Sequence, residues 1–371
     1  MRPPPIPSIV RGLFLCPEVS LLEKDACASR SNSGTGMIDH ADLLKALVAR
    51  RSLSSEQMSD AIGAIMDARF SPVQAAAFLA LLAAKGESPD EVLGAARAMR
   101  ARSLRVDHRL TQVLDVCGTG GDGVGTINIS TIVAFVVASC GLAVAKHGNR
   151  AASSRCGTAD VLEALGIPID LEPEAARREL ESKGFVFLFA QRYHPAMRNI
   201  APIRRDLGVR TIFNLLGPLT NPARATHQVV GVSDERHLDL IAHALEGLGG
   251  LAGAVVHATS GLDEIAGDVP TQVVRFRGGR RERMLIDPAD YGISVPQSEI
   301  IGGDVGTNAR ALEEILSGER SSRSDLIALN AALPLLIAER VGSIGEGIEL
   351  ARRQLHEGAA HAVFEAARRR P

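Results

Sequence analysis

The stretch VLDVCGTGGDGVGTINIST, residues 113–131, decides the fold. Its apolar opening, Val113–Cys117, predicts a buried strand, and five glycines within Gly118–Gly125 predict a turn. The pattern then predicts a helix over Ser130–Ala138 and a second strand over Leu142–Lys146. A strand, a turn, a helix and another strand make the repeating unit of a parallel α/β sheet.

The same alternation continues to the C-terminus. Further strands are predicted at Phe185–Phe189, Gln228–Val232, Ala254–His257 and Gln272–Phe276, and further helices at His237–Leu248, Asn308–Gly318, Ser324–Glu339 and Ile344–Glu357. Residues 109–371 are therefore predicted to form an α/β domain. Its sheet should be mostly parallel and covered by helices on both faces.

Residues 37–108 have a different pattern, which predicts a small all-helical domain. Ser54 and Ser88 stand at positions typical of helix N-caps. A further helix is predicted over His194–Asp206, and part of residues 190–210 is expected to return to this domain. The chain is thus predicted to have a helical N-terminal domain and a larger α/β domain.

Residues 1–36 precede both domains and differ from them in composition. They combine a Pro-rich start with a polar stretch from Ser29 to Gly36. A targeting peptide is one interpretation, but the apolar run Leu13–Leu15 is short for that purpose. A disordered extension, or a misassigned start with Met37 as the true first residue, is the preferred interpretation.

Composition narrows the class of protein. Aromatic residues make up 3% of the 371 residues and the net charge is −2, which argues against a surface that stacks bases or holds a polyanion. The five cysteines form no CxxC pair, as expected for reduced thiols. No apolar run reaches the roughly 18 residues that span a membrane. We therefore expect a cytoplasmic enzyme that binds neither nucleic acid nor membrane.

The glycine-rich turn has the features of an anion site. Without side chains in the way, backbone N–H groups of Gly118–Thr126 can close around a phosphate. The helix that begins after Asn128 adds partial positive charge from its own free N–H groups. The spacing is not that of a Walker A loop. A flexible turn is the alternative, but such a turn needs no Thr, Asp and Asn among its glycines.

A second polar loop, Lys146–Ser154, directly follows the second predicted strand. The carboxyl ends of parallel strands lie at one edge of the sheet, where open α/β sheets bind ligands. Lys146 and Arg150 offer positive charge, and Ser153 and Ser154 offer hydroxyl donors. A solvated surface turn is the alternative, which the presence of two such loops at one edge disfavours.

Two further features are ambiguous from residue types alone. The adjacent carboxylates of Asp263 and Glu264 follow a predicted strand and could hold Mg²⁺, which prefers oxygen ligands. Most Asp-Glu pairs are simply solvated, so the interpretation depends on the two loops. Arg204 could bind a carboxylate bidentately, although a charge on a helix surface is the simpler interpretation.

The order of several motifs resembles the anthranilate phosphoribosyltransferase family. These motifs are GTGGD at 118–122, NIST at 128–131, KHGNRxxSS at 146–154, ADVLEALG at 159–166, HPAMRNIAPIRRDLG at 194–208 and RTIFNLLGPLTNP at 210–222. The resemblance runs from about Asp39 to the C-terminus, and long motifs in a fixed order make it highly specific.

The resemblance implies a particular fold, reaction and assembly. The implied fold joins a small helical domain to an α/β domain of the nucleoside phosphorylase type. The implied reaction transfers the phosphoribosyl group of 5-phosphoribosyl 1-pyrophosphate (PRPP) to the amine of anthranilate, the second step of tryptophan biosynthesis from chorismate. Two Mg²⁺ ions per subunit are implied, as is a homodimer formed through the helical domains.

The resemblance also implies roles for particular residues. PRPP would contact Gly118, Gly121, Asp122, Thr126, Asn128, Ile129, Ser130, Thr131, Lys146, His147, Gly148, Asn149, Arg150, Ala151, Ala152, Ser153, Ser154 and Thr158. Anthranilate would contact Gly118, Asn149 and Arg204, with Arg204 near its carboxylate. Ser130 would ligate one Mg²⁺ and Asp263 the second, with Glu264 shared between them. Thr158 stands where the family usually has Ser, and Gly123–Ile127 replaces a more usual segment.

Two other functions fit a related scaffold. A pyrimidine nucleoside phosphorylase shares the fold and a glycine-rich phosphate loop, but it lacks the Lys-His-Gly-Asn-Arg run. A non-catalytic nucleic-acid-binding homologue would need a basic surface and usually loses its metal ligands, whereas this chain has a net charge of −2 and keeps Asp263 and Glu264.

Overall fold

A computed structural model describes residues 39–151 and 156–368. Its strands are β1 (Val113–Gly118), β2 (Ala143–Gly148), β3 (Phe185–Phe189), β4 (His227–Gly231), β5 (Ala252–Ala258), β6 (Thr271–Arg277) and β7 (Arg280–Ile286). Its α-helices are α1 (His40–Val48), α2 (Ser55–Met66), α3 (Pro72–Lys85), α4 (Pro89–Ala101), α5 (Ile129–Ser139), α6 (Thr158–Ala164), α7 (Pro173–Lys183), α8 (Ala190–Tyr193), α9 (Ala201–Leu207), α10 (Phe213–Leu216), α11 (Leu238–Gly247), α12 (Val305–Leu316), α13 (Ser322–Ile337), α14 (Ile344–His356) and α15 (Ala359–Arg368). Short 3₁₀ helices lie at Pro195–Asn199, Gly217–Leu219, Glu235–His237, Pro288–Tyr291 and Gln297–Ile300.

The seven strands form one sheet in the order β3-β2-β1-β4-β5-β6-β7. Strands β1 to β5 run parallel, while β6 and β7 are added antiparallel. The chain moves from β1 outward to β3 and then returns to β4 on the other side of β1. This reversal is the kind of switch point at which open α/β sheets bind ligands.

Helices cover both faces of the sheet, which confirms the predicted fold class. The adjacent residues Val229 and Val230 of β4 point into different hydrophobic clusters, as expected for the two faces of a strand. Helix α5 and helices α12 to α15 complete one cluster. Helix α11 and the helices α1 to α4 complete the other, so the N-terminal bundle packs on one side of the sheet.

The bundle helices begin where the sequence predicts N-caps. The hydroxyl of Ser54 accepts a hydrogen bond from Gln57 N–H, whose side chain bonds the Ser54 N–H in return. Ser88 and Glu91 form the same reciprocal pair at α4. Each such cap satisfies two otherwise unpaired backbone donors and stabilises its helix by about 1 kcal/mol.

The helix predicted over His194–Asp206 is interrupted. The segment forms a 3₁₀ turn, Pro195–Asn199, followed by α9, because Pro202 has no N–H to continue an α-helical ladder through the junction. Asn199 Nδ2 donates to the Met66 carbonyl at 2.8 Å, so this segment contacts the N-terminal bundle.

Several elements are not predicted from the sequence, and strand β7 and helix α15 are two of them. Strand β7 reads RRERMLI, and its mostly exposed side chains give no apolar alternation; it is the edge strand of the sheet. Helix α15 follows Gly358, which has a positive φ of 78°. A glycine at such a position commonly ends a helix, so the sequence indicates that the helical region stops at α14. Across residues 39–151 and 156–368, no helix is both long and apolar enough to cross a membrane.

Candidate functional site

Three segments with polar residues meet at the carboxyl edge of the parallel strands. The glycine-rich loop follows β1, the Lys146 loop begins at the end of β2, and Asp263 follows β5. A Cβ on Gly231, the last residue of β4, would lie 1.6 Å from the Asp263 carbonyl oxygen. The acidic segment is therefore pressed against the sheet edge, beside the switch point between β1 and β4.

Within the glycine-rich loop, backbone conformation requires the glycines. Gly120, Gly121, Gly123 and Gly125 have φ between 67° and 83°, a region that L side chains rarely adopt. Gly118 is needed for a different reason, because a Cβ there would lie 2.3 Å from Asp263 Oδ2. The loop can thus bring its backbone close to the acidic segment.

Charged side chains hold the loop from two sides. The Gly120 N–H donates to Asp263 Oδ2 at 2.7 Å. Arg210 donates to the Gly120 and Gly121 carbonyls, each at 3.4 Å. The C=O and N–H of a trans peptide point in opposite directions. Because both carbonyls face the Arg210 guanidinium, the N–H groups of the same two peptides point away from it. Asp122 accepts from the Val124 N–H at 3.2 Å and shapes the next turn.

The carboxylates of this region are crowded. Burial, and then the negative charge of Asp122, raise the pKa of Asp263 to about 6. Burial, and then the charge of Asp263, raise the pKa of Glu264 to about 8. Among the described residues, no three His, Cys, Asp or Glu side chains converge into a metal site. The positive charge of Lys146 lowers the pKa of Glu264, but by less than burial and the charge of Asp263 raise it.

Ser130 and Lys146 connect the acids to the sheet. The Ser130 N–H, in the first turn of α5, donates to Glu264 Oε1 at 3.2 Å. Lys146 Nζ donates to Ser130 Oγ at 3.1 Å and to the Val116 carbonyl at 2.7 Å. Lys146 is only 1% exposed, so its ammonium faces the site rather than solvent.

The other predicted residues near the start of α5 are placed by backbone and side-chain contacts. Thr126 forms an isolated antiparallel bridge with Ile301. Ile129 is buried, so only its backbone can face a ligand. Thr131 Oγ1 lies 3.3 Å from Thr158 Oγ1, at the start of α6, and the two hydroxyls join the loops that follow β1 and β2.

A buried polar network under the site was missed from the sequence. Asp115 accepts from the His147 N–H at 3.2 Å and from Asn221 Nδ2 at 2.8 Å. The same Asn221 amide donates to the Ala145 carbonyl at 2.7 Å. The network joins the carboxyl ends of β1 and β2. Its one signal in the sequence is a carboxylate inside an otherwise apolar strand.

The loop after β2 folds onto α6. Arg150 is paired with Asp160 at 2.9 Å and with Glu163 at 2.8 Å, so its charge is already partnered. The Ala151 N–H donates to Asp160 at 3.0 Å. Gly148 has no room for a side chain, because a Cβ would lie 2.9 Å from Phe187. The predicted residues Ala152, Ser153 and Ser154 lie outside the described residues.

Asn149 and Arg204 are both available for a ligand. Asn149 is exposed, and its side-chain oxygen accepts from the Arg150 N–H at 2.8 Å. Arg204 is half-buried, with its guanidinium carbon 5.7 Å from the centre of the Phe213 ring. Burial lowers the pKa of Arg204, and no carboxylate among the described residues pairs with it.

Two buried histidines pack together behind the Lys146 loop. The rings of His147 and His194 meet edge to face, with centroids 5.2 Å apart. Burial lowers the pKa of His147 to about 3 and that of His194 to about 4. His147 Nδ1 lies 3.1 Å from the Gly217 carbonyl, which fits a neutral ring that donates from Nδ1. Both rings are neutral at pH 7.

These histidines predict how stability depends on pH. In the unfolded chain a histidine has a pKa near 6.5, so the unfolded state takes up protons that the folded state refuses. The neutral histidines contribute fully to the free energy of unfolding above pH 6.5. This contribution is lost as the pH falls toward their pKa values in the folded protein. Between pH 7 and pH 4, the difference in free energy of unfolding between the unmodified protein and His194→Asn should change by about 3 kcal/mol.

Urea unfolding across this pH range measures the difference directly. His356→Gln is a control, because it removes a histidine that is exposed and not buried. A His194→Asn difference that stays constant with pH would contradict the neutral assignment.

Of the cavities formed by the described residues, one lies beside these loops and another lies far from them. One of about 290 Å³ borders Arg210, Thr211 and Ser233, next to the glycine-rich loop. A larger one, about 670 Å³, is lined by Ala252 and the β6–β7 hairpin. Ala252 is the first residue of β5, so the larger cavity is at the opposite end of the strands from the polar loops.

Comparison with known families agrees with this architecture. Residues 41–103 match the helical bundle domain of a glycosyl transferase family, and residues 110–361 match the a/b domain of that family. The fold and the site therefore define a two-domain glycosyl transferase. The chain belongs to the anthranilate phosphoribosyltransferase family and is a pentosyltransferase.

The chain aligns with nearly the whole length of individual relatives. The anthranilate phosphoribosyltransferase of Symbiobacterium thermophilum is 48% identical over 324 residues, which are 87% of this chain and 95% of that protein. The crystal structure of the enzyme from Thermus thermophilus superimposes with a TM-score of 0.83 at 42% identity, over 88% of this chain and 98% of that chain. The Saccharomyces cerevisiae enzyme, in complex with PRPP and Mg, gives a TM-score of 0.81 at 27% identity, over 88% of this chain and 96% of that chain.

Proposed function

We propose that the site at the carboxyl edge of the sheet binds PRPP with two Mg²⁺ ions and transfers its phosphoribosyl group to the amine of anthranilate. One observation carries the proposal: the glycine-rich loop, the Ser130–Lys146 pair and the acidic segment meet at the switch point of the sheet. Backbone donors for phosphate and oxygen ligands for a metal lie side by side there.

The pyrophosphate of PRPP fits the glycine-rich loop and the start of α5. Gly118, Gly121 and Asp122 supply loop backbone, and Asn128, Ser130 and Thr131 supply donors at the helix start, where the helix dipole favours an anion. Lys146 adds a buried positive charge. The segment from His147 to Ser154, with Thr158, is proposed to surround the rest of PRPP. Because Arg150 is paired with acids of α6, its proposed role is to hold this segment in shape.

The residues present fit Mg²⁺. Asp263 and Glu264 are neighbouring carboxylates whose pKa values are raised by burial and then by the charge of Asp122 and of Asp263, respectively. A divalent cation would stabilise the ionised form of both. Mg²⁺ typically uses one or two carboxylates and completes its shell with water and substrate phosphates, so a third acidic ligand is not required. Ser130, Asp263 and Glu264 are the proposed protein ligands. When bound, the metal stabilises negative charge on the leaving pyrophosphate.

The anthranilate pocket is proposed to include Gly118, Asn149 and Arg204. Arg204 has the property that the substrate demands, a partly desolvated guanidinium without a carboxylate partner among the described residues. A planar guanidinium can bind a carboxylate through two parallel hydrogen bonds. Asn149 offers an exposed amide.

The chemistry requires no strong base. The amine nitrogen of anthranilate forms a bond to ribose C1 while the bond from C1 to the pyrophosphate oxygen breaks. The electron pair of that bond leaves with pyrophosphate, and the new ammonium loses a proton to water. The protein contributes by holding the two substrates in line and by donating hydrogen bonds to the leaving group.

The proposed organisation places the helical domain at residues 37–108, joined by part of 190–210, and the PRPP-binding domain at 109–371. The two family matches at 41–103 and 110–361 support this division. A cytoplasmic homodimer through the helical domains is also proposed. Val48 and Val73, on that domain, are 67% and 79% exposed, as expected of apolar residues at an interface.

Anthranilate fluorescence tests the function. Addition of PRPP and Mg²⁺ to the purified protein should consume anthranilate and lower its fluorescence, and EDTA should stop the decrease. Ribose 5-phosphate in place of PRPP is the control, because it lacks the pyrophosphate leaving group. Constant fluorescence, together with phosphate-dependent cleavage of a pyrimidine nucleoside, would instead identify a nucleoside phosphorylase. Constant fluorescence with binding of nucleic acid would identify a non-catalytic homologue.

A further inference from the structure

Asn128 stands at the N-cap position of α5 but does not cap the helix. Its φ and ψ are −76° and 68°, and its side chain makes no hydrogen bond to the first turn. Asparagine at this position normally accepts a hydrogen bond from the helix backbone. The side chain is therefore held by something else.

The partner is Asn308, which is 180 residues away in the chain. Asn308 lies in the first turn of α12 and is 2% exposed. Its Nδ2 donates to Asn128 Oδ1 at 2.9 Å. Its own Oδ1 accepts from the Gly303 N–H at 2.8 Å. A single buried amide thus links the backbone before α12 to the side chain before α5.

The direction of these hydrogen bonds is fixed by chemistry. A backbone N–H can only donate, so the oxygen of the Asn308 amide must face Gly303 and its nitrogen must face Asn128. The atom of Asn128 that receives this N–H must in turn be its oxygen. The NH₂ group of Asn128 is therefore on the other side, with no acceptor among the described residues.

The segment that carries this linkage is docked onto the glycine-rich loop. The Gly302 N–H donates to the Gly125 carbonyl, and the Ile127 N–H donates to the Ile300 carbonyl, both at 2.9 Å. A Cβ on Gly302 would lie 2.6 Å from the Thr126 carbonyl oxygen and 2.7 Å from Asn308 Oδ1. This close approach leaves the Asn308 amide little freedom to move away from Asn128.

We propose that Asn308 is a positioning residue that makes Asn128 present its NH₂ group, and not its oxygen, to the pyrophosphate of PRPP. The inference rests on the proposed function, since it needs an anion beside Asn128. A free asparagine amide can turn either face to a ligand. An amide locked in the opposite orientation would place a carbonyl oxygen against phosphate oxygens.

Replacing Asn308 by Asp tests the orientation with little change in size. The introduced carboxylate can still accept from the Gly303 N–H, but it has no proton to donate to Asn128. The Asn128 amide should then rotate, donate to that carboxylate and turn its oxygen to PRPP. We expect the KM for PRPP to rise at least about tenfold, because a hydrogen bond to a charged group is replaced by repulsion. The KM for anthranilate should change less than about twofold.

Asn308→Leu separates orientation from simple loss of structure. Leu removes both hydrogen bonds and leaves the Asn128 amide free to choose either face, so the KM for PRPP should rise only about threefold. If Asn308 merely supported the fold, Leu would raise the KM for PRPP at least as much as Asp does. That order, or an equal rise in the KM of both substrates, would overturn the proposal.

A double-mutant cycle with Asn128→Ala measures whether Asn308 acts through Asn128. Without the Asn128 amide there is nothing to orient, so Asn308→Leu should not raise the KM for PRPP further. Asn308→Asp should raise it less than it does when Asn128 is present, because only the direct repulsion between its charge and the pyrophosphate is left. A rise of the same size in the Ala background would overturn the proposal. If the Asp variant does not fold, the rise caused by Leu must still vanish in that background. Activity of the unmodified protein in the fluorescence assay separates failure of this inference from failure of the proposed function.

Discussion

Replacing Glu264 by Gln should lower kcat about 100-fold or more at limiting Mg²⁺, with part of the loss recovered at high Mg²⁺. Gln keeps the size of the side chain and can still accept from the Ser130 N–H, which lies 3.2 Å from the carboxylate. It has no negative charge for the metal. Stabilisation of the leaving pyrophosphate is expected to provide most of the rate enhancement, so a weakened metal site should affect kcat strongly.

Stability of the metal-free protein should change in the opposite direction. Glu264 shares its surroundings with Asp263 and Asp122, and removing one of three neighbouring carboxylates relieves repulsion. Thermal unfolding in EDTA should therefore show a melting temperature for Glu264→Gln that is equal to or higher than that of the unmodified protein. A variant that loses activity because it is poorly folded would show a lower one.

The control lies on the same loop. Asp268 is exposed, and within residues 39–151 and 156–368 its side chain accepts a hydrogen bond from the Gln297 N–H at 3.2 Å. Asp268→Asn makes the same chemical change as Glu264→Gln, but it should leave the Mg²⁺ titration unchanged. If the Mg²⁺ concentration for half-maximal activity is the same in Glu264→Gln as in the unmodified protein, Glu264 is not a metal ligand.

Local sequence patterns were sufficient to predict the fold class. The turn from β1 into α5 needs glycine wherever φ is positive, and its flanking apolar runs fix the strand and the helix. Strand β7 was not predicted because it is an edge strand with charged residues on both faces. Such a strand shows neither an alternation of apolar and polar residues nor a continuous apolar run. Its pairing with β6 depends on backbone hydrogen bonds that leave no pattern in the residue types.

The residues of the candidate site also fall into two groups, those that the sequence pattern indicates and those that it does not. Residues whose proposed role depends on a local turn, such as those of Gly118–Asp122, can be found in the sequence because the turn itself requires their residue types. Residues that act through a partner on another element of the fold cannot be found in this way. The pairing of Arg150 with acids of α6, and the contact of Asn308 with Asn128, depend on which elements the topology brings together. Nothing in the spacing of these residues indicates it.

Arg204→Ala is the second substitution with a large expected effect. We expect the KM for anthranilate to rise about 50-fold, with little change in the KM for PRPP, because hydrogen bonds between charged groups in a partly desolvated site are worth about 2 kcal/mol or more. Arg204→Lys should recover only part of the loss, since an ammonium cannot form two parallel hydrogen bonds. Steady-state kinetics with each substrate varied in turn measures both constants.

Aniline makes the assignment of Arg204 specific to the carboxylate. It has the same nucleophilic amine as anthranilate but no carboxylate, so Arg204→Ala should leave its kcat/KM nearly unchanged while that of anthranilate falls. The neighbouring Arg205 is exposed on the same helix, and its replacement by Ala should affect neither substrate. Equal losses with aniline and anthranilate would mean that Arg204 acts on the phosphoribosyl group or on the fold. The preference for anthranilate over aniline therefore measures, in one ratio, how much the Arg204 guanidinium contributes to recognition of the acid group.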